Sequence, residues 1–209
     1  MPKIISVVNQ KGGVGKSTIA INLARAIQLD GASVAIVDGD PQGTSNDWGA
    51  VNKEAGNFYP VHYYNLKDIP DRLKEFANYD VVVVDGAPRL EELAVAIIKI
   101  SDLIIIPVTP SPNDVWATIP FLELVKSRQN VNPKLKAVFV INRVKPNTTA
   151  IKEVVEALGS LQVQILKSKI SDRTAYAKSI GNGVTIFEQD KKASGEFTAL
   201  QLELAEIFD

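Results

Sequence analysis

The sequence contains no cysteine and a single histidine, His62. Without thiolates the chain cannot form a disulfide framework, a cysteine-ligated zinc site or an iron–sulfur cluster, and it has no cysteine nucleophile. One histidine cannot supply a histidine-rich metal centre. Long apolar runs are also absent. A membrane-spanning helix needs roughly 20 apolar residues, and a signal peptide needs an uninterrupted apolar segment, so neither is predicted. We therefore expect a soluble cytoplasmic protein with no membrane partner.

Strong net charge is absent too, because 23 lysines and arginines oppose 24 aspartates and glutamates. This balance argues against a generally basic nucleic-acid-binding protein, although a local basic patch remains compatible with it. The 209 residues, 45% of them hydrophobic, are enough for one globular domain with a proper core. We therefore expect residues 1–209 to form a single domain.

Short runs rich in valine and isoleucine alternate with amphipathic segments. The runs are continuous, as is typical of strands that helices cover on both faces. We predict strands over Ile4–Val8, Val34–Asp38, Val81–Asp85, Leu103–Pro107, Lys136–Ile141 and Gln162–Leu166. We predict helices near 16–29, 66–77, 90–100, 114–129, 148–158, 173–180 and 196–208, with Gly49–Tyr64 as the least regular stretch. This order predicts an α/β fold with a doubly wound, mostly parallel sheet.

The most informative segment is Asn9–Thr18, which reads NQKGGVGKST. It lies between a predicted strand and a predicted helix, the context that a phosphate-binding loop requires. Its glycines let backbone N–H groups turn toward an anion, and the helix contributes its positive end. Lys16 is expected to reach the β- and γ-phosphates, and the Ser17 hydroxyl to bind Mg²⁺. Gln10 replaces the first glycine of the standard pattern, and a second lysine, Lys11, precedes the glycines.

The loop resembles the deviant Walker A motif of the ParA/MinD family of P-loop ATPases. The resemblance covers essentially the whole chain. It implies that ATP or ADP is bound by Lys11, Gly12, Gly13, Val14, Gly15, Lys16, Ser17 and Thr18. It also implies that Lys16 binds phosphates within its own subunit, whereas Lys11 crosses a dimer interface to the nucleotide of a partner subunit.

Two carboxylates follow predicted strands. Asp40 lies in the segment Val37–Gly43, and Asp85 ends the strand Val81–Asp85. Carboxyl ends of parallel strands line the ligand crevice, although a turn of Asp, Pro and Gly is also a common way to end a strand. The resemblance implies that Asp40 belongs to switch I, contributes to the metal site and positions or activates the attacking water. Asp85 would be the Walker B residue that contacts Mg²⁺ through water, followed by switch II at 86–88.

Two further segments resemble family elements. Ile106–Asp114 resembles the proline-rich segment of small ParA proteins, which helps form the nucleotide-dependent dimer, and Pro107 is assigned to the nucleotide. Asn142 and Arg143 end the next strand, where the family has its adenine-contacting asparagine. A simple strand-end turn is the alternative there. Trp116 is either buried in a dimer or anchors its own helix to the sheet.

The absence of cysteine and the composition of the last predicted helix distinguish branches of the family. Nitrogenase iron proteins and arsenite-pump ATPases use cysteines that this chain lacks. MinD proteins end in a basic amphipathic helix, whereas Phe197–Asp209 has three carboxylates and no lysine or arginine, so anionic lipid would repel it. Its apolar side chains are expected to pack on the core. The chain therefore resembles the small plasmid-type ParA proteins.

A local excess of positive charge lies between residues 167 and 192, where six basic side chains oppose three acidic ones, a net charge of +3. ParA proteins bind DNA without sequence preference, and Arg173 stands where similar ParA proteins carry a DNA-contacting arginine. A solvated helix face is the alternative. We expect Arg173 to lie away from the phosphate loop. The residues assigned to DNA are Lys167, Lys169, Arg173, Lys178 and Lys192.

The sequence thus predicts a nucleoid-associated ParA-type ATPase that uses ATP and Mg²⁺. The resemblance implies an ATP-dependent homodimer that binds double-stranded DNA and positions a plasmid, chromosome or other cargo with a ParB-type or other adaptor protein. The alternative is a metabolic phosphoryl-transfer enzyme on the same fold, such as a dethiobiotin-synthetase-like ligase. That enzyme would need a substrate pocket rather than a flat dimer face, and Lys11 favours the dimer.

Overall fold

A computed structural model describes residues 1–54, 61–63, 68–87, 91–145 and 150–208. The strands are β1 (Lys3–Val7), β2 (Val34–Asp38), β3 (Val61–Tyr63), β4 (Val81–Asp85), β5 (Leu103–Val108), β6 (Lys136–Val144) and β7 (Gln164–Ser171). The helices are α1 (Lys16–Leu29), α2 (Thr44–Glu54), α3 (Ile69–Arg72), α4 (Glu91–Ile100), α5 (Pro112–Val131), α6 (Ala150–Gly159), α7 (Thr174–Gly181) and α8 (Lys191–Phe208). Short 3₁₀ helices span Leu73–Phe76 and Ile186–Glu188.

The seven strands form one sheet in the order β3-β2-β4-β1-β5-β6-β7, and all six pairings are parallel. Side chains of the central strands alternate between two buried cores. Val82 and Val84 of β4 belong to the core under α4, α5 and α6, whereas Val83 belongs to the core under α1 and α8. Burial on both faces explains the continuous valine run and confirms the doubly wound α/β prediction.

The sheet has a switch point at the carboxyl ends of β1 and β4. The chain leaves β1 through α1 on one face of the sheet and leaves β4 through α4 on the other face. The two connections separate and open a crevice between the strand ends. Ligands of open parallel sheets bind in such a crevice, so the topology places the site where the phosphate loop begins.

The sequence predicted the bounds of β2, β4 and α1 correctly but missed α2, β3 and the second 3₁₀ helix. It placed the last strand at Gln162–Leu166, whereas β7 spans Gln164–Ser171. The reason is that β7 is the edge strand and exposes Lys167 and Lys169, so it lacks the apolar run of a central strand. Parts of three predicted helices, at 66–67, 90 and 148–149, lie outside the described residues, as does Pro88 of the predicted switch II.

The last helix, α8, begins at Lys191 rather than 196. Asp190 caps its first turn, since Oδ1 accepts the N–H groups of Lys192 at 2.9 Å and Ala193 at 3.0 Å. Phe197 and the leucines one and two turns later are buried against α1 and the sheet, as predicted. None of the helices in the described ranges combines the length and apolarity needed to cross a membrane.

Candidate nucleotide site

The loop between β1 and α1 needs its glycines for two different reasons. Gly13 and Gly15 have φ angles of 76° and 92°, a left-handed backbone that glycine adopts without strain. A Cβ on Gly15 would also lie 2.2 Å from Nδ2 of Asn142. That amide donates to the carbonyl of Val14 at 2.7 Å. The end of β6 therefore fixes the last turn of the loop.

Asn9 fixes the first turn of the loop. Its buried side chain donates to the carbonyl of Pro107 at 2.7 Å and accepts the N–H of Lys11 at 2.9 Å. The carbonyl of Pro107, a residue assigned to the nucleotide from sequence, thus holds the loop against β5. Because both ends of the loop are tied to neighbouring strands, its backbone is preorganised for an anion, while Gly12 and Gly13 are exposed.

Lys16 brings a buried cation to the N-terminal end of α1, where it is 6% exposed. Its ammonium donates to the carbonyl of Lys11 at 3.2 Å. Burial lowers the pKa of Lys16, and the negative charges of Asp85 and Asp40 oppose that shift. The two carboxylates predicted for the metal and the attacking water are therefore electrostatic neighbours of this lysine.

Asp85 ends β4 and is fully buried. Burial raises the pKa of Asp85 to about 7, against the effect of the nearby hydroxyls of Ser45 and Ser17. Ser45 of α2 donates to Oδ2 at 2.7 Å, whereas Oδ1 is buried and accepts no hydrogen bond within the described part of the chain. A carboxylate oxygen without a hydrogen bond from the described residues, near the hydroxyl of Ser17, fits Mg²⁺, which takes oxygen ligands and keeps several waters.

The set of protein ligands for a metal is small. No group of three or more His, Asp or Glu side chains among the described residues could hold a metal by itself. Mg²⁺ in nucleotide sites is bound mainly by phosphates and water, with one or two protein ligands. Ser17 and Asp85, with Asp40 nearby, would hold the ion.

The carboxylates of Asp38 and Asp40 stabilise the turn after β2 by accepting hydrogen bonds from backbone N–H groups. Asp38 accepts the N–H of Asp40 at 2.9 Å on one oxygen and that of Asn46 at 2.8 Å on the other. Burial raises the pKa of Asp38, and these hydrogen bonds oppose the shift. Asp40 is itself buried, and its Oδ1 accepts the N–H of Gln42 at 2.9 Å. The Asp40 side chain is therefore held in one orientation.

Lys11 forms an ion pair within its own chain. Its ammonium donates to Oδ1 of Asp114, in the first turn of α5, and the Thr109 hydroxyl donates to the other oxygen. The side chain of Lys11 is 41% exposed, whereas that of Asp114 is buried. Lys11 thus reaches sideways from the loop to α5, instead of toward the phosphates of its own subunit. Sequence reasoning missed Asp114 because 103 residues separate the two.

A polar cavity of about 290 Å³ adjoins the loop. It is lined by Gly15 and Thr18, by Asn142 and Arg143 near the end of β6, and by Ser171–Thr174, Tyr176 and Ala177. Arg143 has a φ of 56°, a conformation that is uncommon outside glycine and concentrates at functional sites. Because β6 and β7 end at the same edge of the sheet, Arg173 lies on this cavity too. The expectation that Arg173 lies away from the phosphate loop is therefore wrong.

The residues assigned to DNA lie on three elements. Four lysines are exposed, on β7, α7 and the first turn of α8: Lys167, Lys169, Lys178 and Lys192. Arg173 differs, because it is half-buried and its guanidinium contacts Glu196 of α8 at 3.1 Å. The structure thus separates the arginine from the four solvated lysines.

Comparison with known proteins agrees with this geometry. The profile of the CobQ/CobB/MinD/ParA nucleotide-binding domain matches residues 5–186, from β1 to the 3₁₀ helix before α8. The chain belongs to this family. Within the CobQ/CobB/MinD/ParA family, the maintenance of carboxysome distribution protein A of Halothiobacillus neapolitanus is 36% identical over 189 residues, which cover 88% of this chain and 86% of that protein.

Two solved structures share the fold of this chain. Apo McdA of Cyanothece has a TM-score of 0.80 at 18% identity, covering 98% of this chain and 100% of its own. A Borrelia burgdorferi protein described as a plasmid partition protein, bound to AMPPNP, has a TM-score of 0.75 at 24% identity, covering 100% of this chain and 98% of its own. Both confirm the predicted fold of the CobQ/CobB/MinD/ParA domain.

Proposed function

We propose that the protein is a ParA-type ATPase that hydrolyses ATP to ADP and phosphate and uses an ATP-dependent homodimer to position a cargo. The observation that carries the proposal is the convergence of Lys16, Asp40 and Asp85 at the end of a preorganised glycine loop. Phosphoryl transfer to water depends mainly on positioning and on neutralising charge, and this arrangement supplies both.

The proposal assigns a role to each of these residues. Lys16 and the N–H groups of the loop bind the phosphates, and Asp40 orients the attacking water. Ser17 and Asp85 would hold Mg²⁺, which would supply neutralisation of charge on the phosphates. The cavity beside Asn142 receives the nucleoside, because it opens directly from the loop.

The dimer is supported by exposed apolar side chains on α5. Trp116 of α5 is 65% exposed and Ile119 is 36% exposed, so Trp116 does not anchor α5 to the sheet. These apolar side chains follow Asp114, the partner of Lys11, within two turns of helix. An exposed aromatic residue on the helix that carries the partner of Lys11 suits a protein interface better than the substrate pocket of a ligase.

Cargo positioning is supported by the relatives. The Halothiobacillus protein is named for carboxysome distribution, and other relatives include a chromosome-partitioning Soj of Thermus thermophilus at 27% identity. We propose a nucleoid-associated cycle in which an adaptor protein stimulates ATP hydrolysis by the DNA-bound dimer.

The proposed dimer is tested by gel filtration with ATP and Mg²⁺. The wild-type protein should elute as a dimer with ATP and as a monomer without it, whereas Lys11→Ala should bind ATP yet remain monomeric. The reason is that Lys11 supplies the contact to the nucleotide of the partner subunit. Lys11→Gln keeps a donor for buried Asp114, so its loss of the dimer could not be attributed to an unpaired carboxylate.

Lys53→Ala, at an exposed site on α2, is the control for removal of a lysine. A wild-type protein that stays monomeric with ATP would favour the metabolic enzyme instead. Dimers formed equally well by Lys11→Ala would remove Lys11 from the interface.

DNA binding is tested on the exposed lysines, because Arg173→Ala would also disturb the cavity wall. Lys169→Ala combined with Lys178→Ala should weaken binding of the ATP-bound dimer to any duplex alike. The plot of log affinity against log salt should flatten by roughly 0.9 for every DNA phosphate that the variant no longer neutralises. Fluorescence anisotropy on two unrelated duplexes across a salt series measures this slope.

The control for this test combines Lys53→Ala with Lys134→Ala, two exposed lysines that lie outside the predicted patch. If the patch variant binds both duplexes as the control does, residues 167–192 are only a solvated face.

A further inference from the structure

Glu196 of α8 accepts hydrogen bonds from three residues at the end of β7 and the start of α7. One carboxylate oxygen accepts the N–H of Ser171 at 2.8 Å and the hydroxyl of Tyr176 at 2.8 Å. The other accepts the hydroxyl of Ser171 at 2.6 Å and the Arg173 guanidinium at 3.1 Å. The side chain of Glu196 is 16% exposed. A single carboxylate thus ties three residues of one segment to α8.

Those same three residues line the cavity beside the phosphate loop. Ser171, Arg173 and Tyr176 line it together with Gly15 and Thr18, whereas Glu196 holds these three residues from α8 without lining the cavity itself. We infer that Glu196 is a positioning residue that sets the wall of the nucleoside cavity and thereby the affinity for the nucleoside part of ATP. The inference rests on the proposed nucleotide-binding function.

The charge of Glu196 suits this task. Burial by itself would raise the pKa of Glu196, but donors on Ser171, Tyr176 and Arg173 outweigh it and keep the pKa below its ordinary value. The carboxylate is therefore ionised at neutral pH. Hydrogen bonds to a charged group are stronger than neutral ones, so the segment is held more firmly than a loop closed by backbone contacts alone.

A second carboxylate on the same helix provides a matched control. Glu203, two turns along α8, accepts the N–H groups of Lys167 at 2.7 Å and Ser168 at 2.9 Å. These amides lie where the register of β7 against β6 shifts. Glu203 therefore secures the same strand from the same helix, but its contacts do not line the cavity.

The experiment measures ATP and inorganic triphosphate as competitors of a fluorescent ATP analogue, with Mg²⁺ present. Triphosphate uses only the loop, whereas ATP also uses the cavity. Glu196→Gln should weaken ATP binding about tenfold and leave triphosphate binding unchanged. Glu203→Gln should change neither affinity. Tyr176→Phe, which removes one donor and keeps the ring against Phe197, should produce a smaller loss that is again confined to ATP.

The two-ligand design separates the possible failures. Equal loss of ATP and triphosphate in Glu196→Gln, or wild-type affinities in both Glu196→Gln and Tyr176→Phe, would overturn the positioning role. If Glu196→Gln does not fold, Tyr176→Phe decides alone, and wild-type ATP affinity in it overturns the role. A wild-type protein that binds ATP no better than triphosphate would overturn this inference and leave the phosphate site standing. Only a wild-type protein that binds neither ligand would also overturn the proposed function.

Discussion

Lys16→Ala is expected to lower the affinity for ATP at least about 100-fold. Lys16 is the buried cation of the loop, and Asp40 and Asp85 lie close enough to act on its pKa. Without the ammonium, the phosphates would approach these two carboxylates with no opposing protein charge, and a charged hydrogen bond would be lost in a buried place. Isothermal titration of ATP with Mg²⁺ measures the change.

Two variants sharpen this expectation. Lys53→Ala removes an exposed lysine from α2 and should bind ATP as the wild-type protein does. Lys11→Ala should also keep most of its affinity as a monomer, because in the structure its ammonium turns away to Asp114. Equal losses in Lys16→Ala and Lys11→Ala would contradict the division of labour between the two lysines.

The parts of the fold that the sequence predicted well are those set by local patterns. A strand buried on both faces, such as β4, leaves a continuous apolar run, and a helix buried on one face, such as α1, leaves apolar residues at helical spacing. Each pattern can be recognised within a few residues. The loop between β1 and α1 is similarly local, since its two left-handed glycines, Gly13 and Gly15, lie within ten consecutive residues. For these elements the sequence alone was sufficient.

The contacts that complete the site were not predictable in this way. Asp114 meets Lys11 across 103 residues, and Ser45 meets Asp85 across 40. Such pairs are created by the order of strands in the sheet, and a serine or aspartate carries no sign of its distant partner. Ser45 was hidden further because α2 is mostly polar and shows no apolar stripe strong enough to predict a helix.

Arg173 illustrates a different limit. A count of charges places it in a basic stretch, and such a count treats every cation as solvated. In the structure Arg173 pairs with Glu196, 23 residues away on α8, while the four lysines are exposed at the surface. Pairing of charges depends on packing between β7 and α8, which composition does not contain.

Asp40→Ala is expected to bind ATP and to dimerise, but to hydrolyse ATP about 10²–10⁴ times more slowly than the wild-type protein. Asp40 is buried, its charge acts on Lys16, and its Oδ1 is already engaged by the N–H of Gln42. Only its other oxygen remains to orient a water, so truncation removes the group that positions the nucleophile without touching the loop. Phosphate release with saturating ATP measures the rate.

Asp40→Asn separates the effect of charge from that of shape, and Asp47→Ala is the control for loss of a carboxylate. The asparagine can still accept the N–H of Gln42, so the local turn should persist while the negative charge is lost. If Asp40 acts as a base or through its charge, Asp40→Asn should be nearly as slow as Asp40→Ala. Asp47 is an exposed carboxylate in the first turn of α2, so Asp47→Ala should hydrolyse ATP at the wild-type rate. Wild-type turnover in both Asp40 variants would remove this residue from catalysis and leave the attacking water without a protein partner on the β2 side of the crevice.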